Sequence, residues 1–172
     1  MEEVILVNSL DEQIGTLEKI AAHEQGLLHR AFSVLIFNDK GELLIHQRAH
    51  EKYHCAGLWT NTCCSHQRVG ETNEQAATRR LQEEMGFVVP VQSIGSFVYY
   101  VEFDNGLSEH ELDHVLIGKF NDQPAPNPNE VADWKYIDRQ ELELEMKNNP
   151  EQFTFWFHEI MHRFGADLKN KL

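Results

Sequence analysis

SHQRVGETNEQAATRRLQEEMG, residues 65–86, is a polar loop that leads into one strongly amphipathic helix. Thr72 and Gln75 have the spacing of a capping box, and Gly86 stands where a helix C-cap is expected. Three apolar residues recur at every fourth position and predict a buried face: Ala77, Leu81 and Met85. A second stripe, about 100° away on the helix, carries opposite charges: Ala76, Arg80 and Glu84.

The pattern outside this segment predicts a mixture of strands and helices. Residues 38–41 have strong turn chemistry, so residues 31–48 are predicted to form a β-hairpin. Further strands are predicted at residues 4–7, 57–62, 96–103, 112–120 and 134–137, and a helix at residues 139–147. A last helix is predicted with Asn149 as N-cap, Pro150 in its first turn and Gly165 at its end.

The composition is that of an ordinary soluble globular protein, with 41% hydrophobic and 25% charged residues. No repeat or linker interrupts the chain, so we expect a single α+β domain over residues 1–172. The N-terminus lacks the features of a signal peptide, and no stretch approaches the roughly 20 apolar residues that cross a bilayer. Cys55, Cys63 and Cys64 do not form a disulfide framework or a zinc knuckle, so the expected location is the cytoplasm.

The formal charge of −13 opposes a general affinity for nucleic acid or for an anionic membrane. An anionic substrate would therefore need bound cations or a focused set of Lys and Arg residues. The ten histidines are a rich supply of possible metal ligands.

Residues 65–71 and 79–86 together resemble the Nudix box, the signature of a family that holds divalent cations against a diphosphate. Two positions depart from that pattern. Ser65 stands where the opening glycine belongs, and Arg80 replaces the glutamate after the motif's arginine. Because Arg80 puts a cation where a metal ligand usually lies, the departure disfavours pyrophosphate hydrolysis by the usual Nudix route.

Five segments over most of the chain resemble the type 1 isopentenyl-diphosphate isomerases. They are residues 16–19 with His23, residues 28–33, 57–66, 108–111 and 153–157. The stretch WTNTCCSH, residues 59–66, is highly specific. The resemblance implies a Nudix-type mixed β-sheet core flanked by helices, and an enzyme that interconverts isopentenyl diphosphate and dimethylallyl diphosphate.

This isomerisation needs one proton delivered to a terminal alkene carbon and another removed on the far side. An alkene is a poor base, and the developing tertiary cation must be shielded from water. The resemblance assigns the two transfers to Cys64 and Glu111, on opposite faces of the substrate. Cys64 is chosen over Cys63 because it precedes His66 by two residues, as the catalytic cysteine does in the family.

The resemblance also implies a site for one divalent ion, with five ligands: His23, His29, His66, Glu109 and Glu111. Three imidazoles and two carboxylates suit Zn²⁺ or Mn²⁺, with Mg²⁺ as a further candidate. Glu109 and Glu111 are two residues apart, so on a regular strand both would point to one face. A second ion, a Mg²⁺ that bridges the diphosphate, is implied at Glu84.

Six residues match substrate-contacting positions of the family: Lys19, Arg48, Lys52, Arg80, Tyr99 and Trp156. The four cationic residues are expected to bind the diphosphate, and the two aromatic residues to wall the hydrocarbon end. The Trp156 ring could stabilise a carbocation through its face. The expected partner is thus a small isoprenoid diphosphate, and the expected oligomeric state is a monomer or weak dimer.

Each of these residues also has an ordinary interpretation, since free cysteines are often buried and lysines usually face solvent. Two other functions stay open: a Nudix pyrophosphohydrolase acting on nucleoside or isoprenoid diphosphates, and a non-catalytic module that binds metal or diphosphate. The module would tolerate the loss of Cys64. Cys55 and Cys63 are expected to be structural. The remaining histidines receive no functional role: His46, His50, His54, His110, His114, His158 and His162.

Overall fold

The computed structural model describes residues 2–168, which form one mixed β-sheet of nine strands with four α-helices. The strands are β1 Glu3–Val7, β2 Gln13–Glu18, β3 His29–Phe37, β4 Leu43–Arg48, β5 Trp59–Thr60, β6 Cys63–Ser65, β7 Val91–Glu102, β8 Ser108–Lys119 and β9 Val131–Ile137. The helices are α1 Lys19–Gln25, α2 Asn73–Met85, α3 Arg139–Asn148 and α4 Phe155–Leu168. The α+β class predicted from the sequence is confirmed.

Strand β3 lies at the centre of the sheet and organises it. Its whole length pairs in parallel with β8 on one edge. Its other edge is shared by β1, β6 and β4, all antiparallel to it. Outward from these strands, β7 pairs with β8 and β9 pairs with β4. Segments far apart in the sequence therefore meet on β3.

The two faces of β3 pack against different helices. The even-numbered residues belong to a core that includes apolar residues of α2: Phe32, Val34 and Ile36. On the other face, Leu35 and Phe37 join a core that includes residues of α3 and α4. Nearer the start of β3 this second face carries polar side chains, His29 and Ser33, instead of a continuous apolar core. The candidate site lies there.

Helix α2 forms as the sequence predicts. The Thr72 hydroxyl accepts a hydrogen bond from the Gln75 amide, and the Gln75 side chain accepts one from the Thr72 amide. Gly86 ends the helix with a left-handed φ of 77°, and a Cβ at this position would collide with the carbonyl oxygen of Ala125. The predicted apolar face is fully buried: Ala77, Leu81 and Met85.

The predicted hairpin over residues 31–48 forms only at its tip. Strands β3 and β4 pair through Ile36 with Leu44 and through Phe37 with Leu43. Beyond these pairs β4 turns away to pair with β5 and β9, and β6 takes its place beside β3. The strand predicted at residues 57–62 is likewise shorter, because only Trp59–Thr60 belongs to β5.

The prediction for the last helix is wrong at both ends. Asn149 is the C-cap of α3, and Pro150 begins a 3₁₀ turn instead of the helix itself. Helix α4 starts only at Phe155, because the amide of Thr154 is held by the carbonyl of Trp59 at 3.0 Å. Gly165 does not end α4, which continues to Leu168.

Three elements had no prediction: β2, α1 and β6. The strands predicted at residues 96–103, 112–120 and 134–137 exist, but β7, β8 and β9 all begin several residues earlier. The early starts extend the ladder between β7 and β8, whose register runs from Val91 opposite Gly118 to Glu102 opposite Ser108. Within residues 2–168, no helix is long and apolar enough to cross a membrane.

Candidate active site

The register of four strands places the key side chains on one face of the sheet. On β3, His29 is paired with Glu111 of β8, which in turn is paired with Tyr99 of β7. On the other edge of β3, Ser33 is paired with Cys64 of β6. Because paired residues point to the same side of a sheet and His29 and Ser33 are four apart, these five side chains share one face. Cys64 and Glu111 thus lie on strands that flank β3 on opposite edges.

Three histidines and a carboxylate converge beside β3. One ligand atom from each of His23, His29, His66 and Glu111 lies within 4.8 Å of all the others, and all four residues are buried. The Nδ1 atoms of His23 and His29 donate hydrogen bonds to the backbone carbonyls of Lys19 and Leu27, at 2.6 and 2.8 Å. When these imidazoles are neutral, Nε2 therefore carries a lone pair; His23 Nε2 has no hydrogen-bond partner among the described residues, and His29 Nε2 faces Glu111 Oε1 at 3.4 Å. Such a buried, tethered donor set fits a divalent cation.

The electrostatics differ among the members of this cluster. Burial opposes ionisation of Glu111, but the adjacent imidazoles of His29 and His66 outweigh it and hold the pKa of Glu111 well below its usual value. Burial lowers the pKa of His66 to about 4, so its imidazole is neutral. Although burial disfavours the charged form of His29, the facing Glu111 carboxylate raises the pKa of His29. A proton and a cation would therefore compete for His29.

Glu109 lies beside this cluster, next to Tyr99 and His54. The Tyr99 hydroxyl oxygen lies 2.8 Å from Glu109 Oε2 and 2.6 Å from Glu111 Oε2, so its single proton is shared between the two carboxylates. His54 Nε2 lies 2.9 Å from Glu109 Oε1, and His23, His54 and Glu109 form a second group whose ligand atoms are within 4.8 Å of one another. No role was predicted for His54 from the sequence, whereas the structure places it against a predicted metal ligand.

Cys64 lines a cavity, and its thiol is surrounded by polar side chains. The indole N–H of Trp156 donates to Cys64 Sγ at 3.1 Å, and the thiol donates to Asn61 Oδ1 at 3.3 Å. The Thr60 hydroxyl also donates to Asn61 Oδ1, at 2.9 Å, and contacts Thr154 Oγ1 at 2.9 Å. Burial raises the pKa of Cys64 to about 12, so the thiol keeps its proton at neutral pH. Cys63, its neighbour, is fully buried in the core beneath α2.

All the predicted substrate contacts line this one cavity: Lys19, Arg48, Lys52, Arg80, Tyr99 and Trp156. Cys64, Glu84, Glu109 and Glu111 line it too. Tyr99 differs from the expectation, because its hydroxyl bonds two carboxylates and its ring is not merely a wall. The Arg48 guanidinium lies 5.3 Å from the centre of the Trp156 ring.

Three of the four cations that line this cavity face carboxylates. Lys19 is 3.2 Å from Glu2, and Lys52 pairs with Glu130. On α2, Arg80 pairs with Glu84, as their shared helical stripe predicts. Burial raises the pKa of Glu84, although the Arg80 charge opposes that shift. Arg80 thus contacts a carboxylate oxygen of Glu84 directly.

Sequence reasoning missed three polar residues of this site. Asn61 and Glu130 had no assigned role, and His54 was among the histidines that received no functional role. Asn61 lies within the specific stretch WTNTCCSH, which was a usable signal. Glu130 and His54 lie in loops, where no periodicity predicts the direction of a side chain.

Known proteins resemble this chain in sequence and in fold. The NUDIX domain family matches residues 27–157. An isopentenyl-diphosphate Delta-isomerase from Serratia proteamaculans is 50% identical over 166 residues, which cover 96% of this chain and 93% of the relative. One from Burkholderia multivorans is 47% identical over 170 residues, covering 99% and 97%. The crystal structure of DR0079 from Deinococcus radiodurans superimposes with a TM-score of 0.71 at 21% identity, covering 86% of this chain and 90% of that one. At that identity the last likeness shows the fold alone.

Proposed function

The chain belongs to the isopentenyl-diphosphate Delta-isomerases within the Nudix family, and on that premise we propose that it interconverts isopentenyl diphosphate and dimethylallyl diphosphate. In the forward direction a proton is added to the terminal methylene carbon, and a tertiary carbocation develops. A proton is then removed from carbon 2, so the double bond moves by one position. No bond to phosphorus is broken.

The observation that carries the proposal is the position of Cys64 and Glu111. Both side chains line the same cavity, from strands on opposite edges of β3. A planar alkene between them would meet a proton donor on one side and a carboxylate on the other. We therefore propose these two residues as the proton-transfer pair, each serving as acid or base according to direction.

Cys64 is suited to hold a proton until the alkene accepts it. Its raised pKa keeps the thiol neutral, and Asn61 gives the thiol proton a fixed acceptor. The Trp156 indole donates to the same sulfur, so it would stabilise the thiolate that remains after transfer. The same ring would stabilise the carbocation by about 1–2 kcal/mol in a desolvated site.

Glu111 is suited to be the opposite partner because it stays ionised despite its burial. Its carboxylate accepts the Tyr99 hydroxyl proton, which fixes its orientation. A divalent cation held by the histidine cluster would supply positive charge that favours the carboxylate form of Glu111. We propose His23, His29, His66, Glu109 and Glu111 as the ligands, and Zn²⁺, Mn²⁺ or Mg²⁺ as the ion.

The diphosphate is proposed to bind at the cationic part of the cavity. Lys19, Arg48, Lys52 and Arg80 would contact its oxygens, and Glu84 would hold a Mg²⁺ that bridges them. Arg80 offers a positive charge where hydrolytic Nudix boxes use a carboxylate, which suits retention of the diphosphate instead of its cleavage. A monomeric or weakly dimeric state, a cytoplasmic location and a single folding unit over residues 1–172 remain predictions.

Two neighbouring cysteines give a matched test of this proposal. Cys64→Ala should lower kcat by at least about 100-fold, the usual size of a lost general acid, while divalent-cation binding stays normal. Cys63→Ala should keep most of the turnover, because Cys63 faces the α2 core. Product formation by mass spectrometry measures both variants. An active Cys64→Ala enzyme would refute the proposed pair. An inactive but folded Cys63→Ala enzyme would assign the proton transfer to Cys63 instead of Cys64.

A further inference from the structure

His54 has an enclosed ring beside the histidine cluster although it belongs to a loop. Its side chain is 5% exposed. The ring stacks on Phe103, with centroids 5.1 Å apart and planes 12° apart, and it meets the edge of Trp156 at 6.0 Å. Tyr53 packs against it at 4.4 Å. With neighbours on several sides, the imidazole has one orientation.

That orientation directs His54 Nε2 at Glu109. The distance to Glu109 Oε1 is 2.9 Å, and the Tyr99 hydroxyl oxygen lies 2.8 Å from the other carboxylate oxygen. A carboxylate only accepts hydrogen bonds, so His54 can serve Glu109 only with a proton on Nε2. Glu109 therefore has the His54 imidazole beside one oxygen and the Tyr99 hydroxyl beside the other.

The histidines differ in which nitrogen has a backbone partner. His23 and His29 donate their Nδ1 protons to carbonyls and so present bare Nε2 atoms to the cluster. His54 Nδ1 has no partner within residues 2–168. His66 shares that feature, but it lies within 4.8 Å of the tethered pair and Glu111, whereas His54 is grouped only with His23 and Glu109. His54 thus lies beside the cluster of His23, His29, His66 and Glu111 and is not part of it.

We propose that His54 is a positioning residue for the metal site: it orients the Glu109 carboxylate toward the cation without binding the cation itself. The proposal rests on the proposed metal ligands, and it goes beyond them by adding a residue that acts only through Glu109. A glutamate side chain has several rotatable bonds, and a fixed donor selects one arrangement before the cation arrives. Loss of such a partner typically weakens metal affinity about 10–100-fold.

Cobalt(II) is a suitable probe, because its visible absorption reports both binding and the ligand set. Titrations would compare the wild-type protein with His54→Ala and His54→Gln, without diphosphate. His162→Ala is the matched control, since that histidine is exposed on α4. We expect His54→Ala to raise the Co²⁺ Kd about 10–100-fold. His54→Gln should recover most of the affinity, because its amide N–H can reach the same oxygen, and the control should be unchanged.

Two further measurements separate positioning from other roles. At saturating Co²⁺, His54→Ala should keep the wild-type band positions, whereas loss of a nitrogen ligand would shift them and overturn the proposal. In a Glu109→Gln background, His54→Ala should have little further effect on Kd, because the two residues act as one unit. Independent, additive effects of the two substitutions would also overturn it.

Folding and activity are read out separately from affinity. Melting temperatures of the metal-free variants identify a merely structural defect, and the His54→Gln variant keeps the test valid if His54→Ala is poorly folded. An unchanged Co²⁺ Kd in both His54 variants would refute the inference while leaving the proposed isomerase untouched. Conversely, an enzyme without isomerase activity but with His54-dependent Co²⁺ binding would refute the proposed function alone.

Discussion

Asn61 hydrogen-bonds both to the backbone and to the thiol of Cys64, the proposed acid. Its removal should therefore lower both the stability of the protein and its turnover. The residue is fully buried, and its side-chain amide donates to the carbonyls of Val34 at 3.1 Å and Cys63 at 2.9 Å. Its Oδ1 accepts from the thiol of Cys64. In Asn61→Ala the two carbonyls lose these donors, and a buried amide–carbonyl bond is worth about 0.5–1.5 kcal/mol. We therefore expect the free energy of unfolding to fall by about 1–3 kcal/mol.

Urea unfolding monitored by tryptophan fluorescence measures this loss, with the m-value unchanged if the transition stays two-state. Asn129→Ala is the control, because Asn129 is exposed. The free energy of unfolding of this variant should stay within about 0.5 kcal/mol of the wild-type value. Turnover should fall as well, since the thiol loses its acceptor. A folded Asn61→Ala protein with wild-type stability would refute the hydrogen-bond accounting, and one with wild-type kcat would show that Asn61 does not orient Cys64.

Other substitutions test separate parts of the structure. Trp156→Phe removes the donor to Cys64 Sγ and weakens the cation–π interaction. Losing ~1–2 kcal/mol of transition-state stabilisation should lower kcat about 10-fold, with a smaller change in KM. An unchanged kcat in steady-state assays would contradict this. Gly86→Ala forces a side chain into a left-handed residue against Ala125, and thermal denaturation should show a loss of at least about 1–2 kcal/mol. Exhaustive chelation with EDTA should abolish turnover, and the addition of Mg²⁺ together with Mn²⁺ or Zn²⁺ should restore it. Full activity after verified metal removal would contradict the proposed metal sites.

The sequence predicted elements whose signals are local. Helix α2 has a capping box, an apolar stripe and a terminal glycine within one segment, and it forms as expected. Helix α1 has only seven residues and is capped by Glu18, so a short run of ordinary residues gave no helical signal. Helix α4 begins late because of a contact between Thr154 and Trp59, which are far apart in the sequence. Such tertiary contacts have no local pattern.

Some residues of the candidate site could likewise be predicted from the sequence, and others depend on tertiary packing. The resemblance named Cys64, Glu111 and the ligand positions. Cys64, His66, Glu109 and Glu111 line one cavity, and His23 and His29 have ligand atoms within 4.8 Å of those of His66 and Glu111. His54 could not be anticipated because its direction depends on the loop after β4, where Cys55 adopts a left-handed φ of 51°. The ion pairs of the cations proposed to bind the diphosphate also depend on side-chain packing, which residue spacing does not predict, as between Lys52 and Glu130.

Solvent deuterium exchange tests the central claim most directly. The protein would be incubated with isopentenyl diphosphate and Mg²⁺ in deuterium oxide, and the products followed by NMR together with an assay for released phosphate. Proton addition and removal at carbon predict deuterium in both isoprenoid diphosphates, with no phosphate released. Phosphate release without deuterium uptake would contradict the isomerase and favour a Nudix hydrolase, and binding with neither change would leave only a non-catalytic module.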